Sequence, residues 1–338
     1  MKKLSLFNKI VFVLNTCFAI LLLGSYLLPF VFPKSFPSLA VLSLTVPVLI
    51  FCNILFFIYW LLLLKRQLFL SLTVLAIGYQ HVTSFYKFST TQKPVNKNTF
   101  SVMSYNVRIF NKYEWIPRKD IDQEIVDFIK REQPDIVCFQ EFLHEKEGLF
   151  DYYPYKYIRY KSKNQQTGQA IFSKFPIYNK GSLEFPHTGN NAIFADIIKD
   201  KDSIRVYNLH LESLRINTQE NVTQEKSEQM FRRMGESFGL QQTQAEIFKN
   251  HRDACKLDKI VCGDFNNTQF SNIYRQVKGD MKDTFKVAGA GFGSTFNFKY
   301  FPVRIDFILV DESIEINRHK TYSEEFSDHF PVSAYLTL

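Results

Sequence analysis

The sequence predicts an α/β domain carried behind N-terminal transmembrane helices. Residues 1–97 hold nine Lys or Arg and no Asp or Glu, in long apolar blocks. Residues 100–141 read strand, helix, strand, the order that builds a parallel pair. Several later apolar runs end in an acidic, amide or imidazole side chain, and α/β folds place their ligands beyond such strand ends.

The membrane part comes first. Ile10 to Phe32 and Leu39 to Leu64 are uncharged and long enough to cross a hydrocarbon core as helices. Leu68 to Tyr86 is a weaker third block, interrupted by Gly78 and carrying Gln80 and His81; it spans, or it lies in the interface. The first block is not read as a signal peptide, despite Lys2 and Lys3, because its apolar core is too long and no small-residue cleavage site follows. Residues 1–86 are therefore assigned as a transmembrane region of two to three helices, 87–98 as a polar linker and 99–338 as the globular domain. With the N-terminus inside, three crossings put that domain outside and two leave it in the cytoplasm; three are expected. Cys138 and Cys262 fall in core strands and no disulfide framework is indicated.

Setting the nine N-terminal basic residues aside leaves 32 basic against 33 acidic residues in 98–338. The sequence pI near 9.0 thus belongs to the membrane part. The globular domain lacks the bulk positive charge of non-specific nucleic-acid binding.

Ser104 to Arg108 reads as a strand with Asn106 near its end. Ile121, Ile125, Phe128 and Ile129 share one helix face, and Pro134 stops that helix. Asp135 to Glu141 is a second buried strand ending in a carboxylate. A Tyr-rich loop from Tyr152 to Tyr160 precedes strands at Gly168–Ser173 and Ala192–Ile198, with Pro176 between them. Ile204 to Leu211 contains His210. Ser213 to Gly239 is too charged for core and is assigned as helical or mobile, and Gln241 to His251 as a helix. Ile260 to Asn267 is a strand stopped by Gly263-Asp264-Phe265-Asn266. A short helix (Ser271 to Val277), a Gly-rich loop (Gly289, Gly291, Gly293), the strand Arg304 to Val310 and a last strand after Ser327-Asp328-His329-Phe330-Pro331 complete the chain.

Each polar residue has a plain reading by itself. Gly-Asp-x-Asn is an ordinary turn, His210 a bonded core histidine, Asp306 a partner for Arg304, and Asp328-His329 a cap. Their joint placement at so many strand ends is what points to a site. Carboxylates and amides without a Cys cluster suit an oxygen-liking ion, Mg2+ or Mn2+. Such an ion polarises a phosphoryl oxygen while histidines move protons or bond developing charge, so phosphate-ester hydrolysis is the natural reaction.

The series Ser104-Tyr105-Asn106-Val107-Arg108, Gln140-Glu141, Asn208-Leu209-His210-Leu211, Gly263-Asp264-Phe265-Asn266, Arg304-Ile305-Asp306-Phe307-Ile308 and Ser327-Asp328-His329-Phe330-Pro331 resembles the endonuclease/exonuclease/phosphatase superfamily. The resemblance implies a four-layer α/β sandwich of two packed mixed sheets, DNase I-like, and a membrane-anchored bacterial-type member. It implies Glu141 as the main metal ligand with Asn106 and Asp328 in support. Asp264 would orient or deprotonate water, Asn266 hold phosphate or water, and His329 act on the scissile phosphate with Asp306 fixing its ring. His210 matches the phosphate-binding histidine of the DNase I and sphingomyelinase branches, and abasic-site endonucleases differ there.

The expected activity is a metal-dependent phosphodiesterase on nucleic acid or a phospholipid headgroup, anchored in a bilayer. The expected location is a bacterial inner membrane with the catalytic domain on the periplasmic side. A lipid phosphodiesterase of the phospholipase C or sphingomyelinase kind is the alternative, and a catalytically silent tethered binding module a further one. Nothing in the sequence indicates a protein partner.

Overall fold

A computed structural model describes residues 4–88, 92–160, 166–214, 224–298 and 301–338. Lys2 and Lys3, three linker positions (89–91) and residues 215–223 of the polar stretch lie outside the described residues. Two compact units emerge: Met1–Tyr86 with Arg215–Gln242 and Gln269–Arg275, and Lys87–Leu214 with Thr243–Thr268 and Gln276–Leu338.

In the first unit, helix α1 (Leu6–Ser25) is capped by Ser5, and α2 (Pro37–Val41) leads into α3 (Val46–Leu62). Leu6–Phe30 and Pro37–Leu62 are each long and apolar enough to cross a membrane. The third block forms α4 (Leu68–Ile77) and α5 (Tyr79–Phe85), bent by 82° at Gly78. A Cβ at Gly78 would sit 2.0 Å from the Tyr26 ring, so a larger residue there must displace that ring. Apolar packing alone binds helices weakly in lipid, and small polar side chains supply the glue. Asn15 Nδ2 donates to Ser71 Oγ (2.6 Å), Trp60 Nε1 donates to Asn15 Oδ1 (3.0 Å), and Ser71 Oγ donates to Asn53 Oδ1 (3.3 Å), all buried. Within the same unit Asn272 Nδ2 donates to Pro29 O (2.9 Å), Lys34 N to Gln242 Oε1 (2.8 Å), and Arg275 lies over Phe30.

The second unit contains two packed, mixed, six-stranded sheets. The strands are β1 (Phe100–Asn106), β2 (Ile136–Leu143), β3 (Tyr155–Tyr160), β4 (Thr167–Ser173), β5 (Ile177–Glu184), β6 (Asn191–Lys199), β7 (Asp202–His210), β8 (Asp258–Asp264), β9 (Lys282–Asp283), β10 (Asp306–Val310), β11 (Glu315–Thr321) and β12 (Val332–Thr337). One sheet runs β11-β12-β1-β2-β4-β3, the other β5-β6-β7-β8-β10-β9. Each sheet has a single parallel pair, β1 with β2 and β7 with β8, flanked by antiparallel neighbours. The crossovers hold α6 (Ile121–Glu132) and α7 (Gln224–Ala254). Parallel strands need such crossovers, and both pairs end on the site.

Alternation of side chains fills the space between the sheets. Val102, Ile136, Cys138 and Ile171 meet Ile193, Val206, Ile260, Cys262 and Ile308, all fully buried. Each such side chain contributes roughly 1.5–3 kcal/mol of burial. Helix α6 buries Ile121, Ile125, Phe128 and Ile129 on the outer face of the first sheet, with Asp122 and Glu124 in its first turn and Lys130 and Arg131 in its last complementing the helix dipole.

Three expectations change. The aromatic segment is not all loop, because Tyr155–Tyr160 pairs with β4 as an edge strand. β5 and β11 were not foreseen; both are edge strands with polar, half-exposed faces that blur the apolar alternation. Residues 224–254 form one helix, so the expected break between a polar stretch and a helix at Gln241 is absent.

Candidate active site

The residues expected at the site come together at the carboxyl ends of the parallel pairs. His210, Asp264 and Asp306 occupy register positions side by side on β7, β8 and β10. Asn106 pairs in register with Gln140, one residue before Glu141. Asp328 and His329 precede β12, and Ser327 Oγ ties their loop to Asn106 O at 2.9 Å.

The Asp264 turn and the site are one object. Asn266 N donates to Asp264 Oδ1 (2.8 Å), the ordinary turn bond, while Asn266 Nδ2 donates to Asp264 Oδ2 (3.2 Å) and Leu211 O (2.9 Å). Gly263 makes the turn possible: its φ is +150° and a Cβ there would lie 2.0 Å from Leu209 O. Gly263→Ala is expected to cost several kcal/mol, since the backbone at Leu209 must move and the positive φ strains any side chain. A loss of folded protein by thermal unfolding checks this.

Asn106 Nδ2 donates to Asp264 Oδ2 (3.0 Å) and Glu141 Oε1 (3.3 Å), bridging the sheets. His210 Nε2 lies 3.8 Å from both Glu141 Oε1 and Asp264 Oδ2. His329 Nδ1 bonds Asp306 Oδ2 at 3.0 Å, and its Nε2 faces Asp264 Oδ2 at 3.7 Å. Arg304 does not serve Asp306; it pairs with Asp283 at 2.8 Å. Asp306 is held instead by Thr295 Oγ1, which accepts from its backbone N–H.

Burial raises the Asp264 carboxyl to about 6, with the Asp306 charge adding and both histidines opposing. Burial would lower His329, but the Asp306 and Asp264 carboxylates outweigh it and hold the imidazole protonated up to about 10. Burial lowers His210, against the pull of Asp264. Burial likewise raises Glu141, opposed by His329 and the Asn106 hydrogen bond.

Asp328 carries a partner of its own. Its Oδ2 is paired with Arg108 Nη1 at 3.1 Å, and its Oδ1 accepts from Ser327. Arg108 belongs to a left-handed turn, Arg108–Asn111, whose four φ values lie between 41° and 57°. The guanidinium stacks on Trp115 at 4.3 Å, while Phe110 is anchored among Phe139, Phe142 and Phe150. Sequence reasoning gave Arg108 no role, and only its place in the Asn106 motif pointed to it.

The donor set fits a hard divalent cation. Four carboxylates (Glu141, Asp264, Asp306 and Asp328) face one guanidinium and one imidazolium, and Asp306 Oδ1 is buried without a partner among the described residues. Asp264, Asp306 and His329 present ligand atoms within 4.8 Å of one another.

Two mixed sheets with oxygen donors and two imidazoles at their strand ends define a phosphoester-hydrolase architecture. The chain belongs to the endonuclease/exonuclease/phosphatase family, whose model matches residues 103–329, and it is by that membership a hydrolase of phosphoric esters. Residues 8–85 match a second family, described as a domain of unknown function. A search of curated proteins returned no match. Among solved structures, an endonuclease/exonuclease/phosphatase protein from Bacteroides vulgatus is similar at 20% identity and TM-score 0.55, over 72% of this chain and 100% of that one. A mannosyl-6-phosphatase from Bacteroides thetaiotaomicron matches at 20% identity and TM-score 0.52, over 71% and 100%. ANGEL2, a 2',3'-cyclic phosphatase, matches at 16% identity and TM-score 0.52, over 74% and 99%.

Proposed function

We propose that the chain is a membrane-anchored, divalent-metal-dependent phosphodiesterase. The observation that carries this is His329 bound to Asp306 on one nitrogen and facing Asp264 with the other, opposite Glu141 and Asn106. Asp264 orients the attacking water and takes its proton, and Asn266 holds water or phosphate beside it. His210 and the protonated His329 bond the non-bridging oxygens as negative charge grows in the transition state. Asp306 fixes the His329 ring and its tautomer. Glu141 and Asn106, with Asp328 beside them, would hold Mg2+ or Mn2+, which polarises the phosphoryl oxygen and stabilises the leaving oxygen. The water oxygen bonds to phosphorus, the bond from phosphorus to the ester oxygen breaks, the leaving alkoxide takes a proton from solvent water, and Asp264 returns its proton to solvent.

The test is p-nitrophenolate release from bis-p-nitrophenyl phosphate by the full chain in detergent. Turnover with Mg2+ or Mn2+ and none after EDTA is expected; no turnover with either metal would sink the reading. A silent binding module would have no use for the His329–Asp306 pair held inside the catalytic cluster.

For the natural substrate, one observation favours a lipid phosphoester. Residues 98–338 carry 32 basic against 33 acidic residues, without the bulk positive charge of non-specific nucleic-acid binding, behind helices apolar enough to cross a membrane. A metal-supplemented screen against phospholipid, DNA, RNA and inositol phosphates separates the possibilities, and cleavage of nucleic acid alone would overturn the lipid assignment.

We also place the catalytic unit on the external face of a bacterial inner membrane. Asn15, midway along α1, meets Ser71 near the start of α4, and Tyr26, just past the end of α1, donates to Val74 O at 2.9 Å. A third crossing by the bent α4–α5 pair would take the chain out on the side away from its N-terminus. A reporter that works only in the cytoplasm, fused after Leu338, is expected to stay silent; activity there would reverse the sidedness.

A further inference from the structure

The space between the sheets changes chemistry in layers along the strands. Val102, Cys138, Val206 and Cys262 form part of a dry apolar layer. Two residues further along three of these strands, on the same inward face, stand Ser104, Gln140 and Asn208, all fully buried. Asn106, His210 and Asp264 follow two residues beyond Ser104, Asn208 and Cys262, with Glu141 next to Gln140. A polar layer therefore lies between the apolar core and the site.

Asn208 holds this layer together. Its Oδ1 accepts from Gln140 Nε2 at 2.6 Å, and Gln140 Nε2 also reaches Ser104 Oγ at 3.2 Å. Its Nδ2 crosses from the second sheet to the first and donates to Phe139 O (2.8 Å) and Ala170 O (3.1 Å). Those two residues are the last in-register pair before β2 bulges away from β4, between Phe139 and Phe142. Glu141 sits in that bulge with φ +51°, a left-handed conformation that costs a non-glycine residue roughly 1–2 kcal/mol. A bulge breaks the ladder and leaves carbonyls to satisfy, here between fully buried residues. A side-chain amide offers two donors and one acceptor in a fixed plane, which matches the three partners found.

We propose that Asn208 is a positioning residue: from the opposite sheet it braces the β2 bulge and so holds the Glu141 carboxylate where a divalent cation binds. Asn208 touches neither substrate nor ion. The inference rests on the reading of Glu141 as a metal ligand, and the experiment keeps the two apart.

Full-length protein in detergent micelles is titrated with Mn2+ alone, without substrate, following free Mn2+ by electron paramagnetic resonance. Glu141→Gln is expected to abolish the tight site. Asn208→Asp keeps the side-chain shape but loses both donors, and is expected to weaken Mn2+ binding by about 10- to 100-fold. Phe128→Leu, which loosens the outer face of the same sheet, is expected to lower the melting temperature and leave Mn2+ affinity unchanged. That contrast separates positioning from general stability. If Asn208→Asp does not fold, Asn208→Ser, which keeps a single donor, is scored by the same criterion. Wild-type Mn2+ affinity in the folded Asn208 variant overturns the inference, and wild-type affinity in Glu141→Gln overturns the metal assignment beneath it.

Discussion

Replacing His329 with alanine is expected to lower kcat by about 10³-fold, within the range of a group that stabilises transition-state charge or transfers a proton. The imidazole is buried between Asp306 and Asp264, so the variant also leaves two carboxylates facing each other without a cation. KM should change much less than kcat if the contact strengthens in the transition state. The pH profile gives an independent check. Asp264 must be ionised to take a proton, so activity rises through its value of about 6. His329 must stay protonated to bond the phosphate, so activity falls through its value of about 10. The result is a bell with a broad top, and Asp306→Asn should pull its alkaline limb down, since the charge that holds the proton on His329 is gone. An unchanged alkaline limb in that variant would remove His329 from the protonated role.

The second large effect is expected from Glu141→Gln. Removing the carboxylate charge while keeping an oxygen should abolish metal-supported turnover, and raised Mg2+ or Mn2+ should recover only part of it. The wild-type enzyme should lose all turnover in EDTA and regain it on adding back the metal. Full activity of Glu141→Gln at ordinary metal concentrations would show that Glu141 does not hold the ion.

The gathering of the candidate residues was legible in the sequence because parallel strands end where their apolar runs stop. Asn106, Glu141, His210 and Asp264 each terminate or follow such a run, and the structure sets them within a few ångströms of one another. Asp328 was legible as a member of the cluster but not in its pairing, because the Arg108 guanidinium arrives through a left-handed turn that no side-chain period announces. Asn208 was visible within its motif, yet its work depends on a bulge in another sheet, and a bulge is a register property rather than a composition. The edge strands β5 and β11 were hidden by their polar faces. The sharing of 224–242 and 269–275 with the apolar helices depends on tertiary contacts that strand and helix periodicity do not encode.

The left-handed turn at Arg108–Asn111 has a consequence for how this enzyme can vary. Holding four successive non-glycine residues there stores on the order of a few kcal/mol in the backbone, and that cost is met by Phe110 locking into its aromatic nest. The orientation of Arg108 beside Asp328 is thereby bound to the packing of Phe139, Phe142 and Phe150, side chains that never meet a substrate. Substitutions in that nest are therefore expected to reach the pairing of Arg108 with Asp328, although none of the three rings lies beside either charged group.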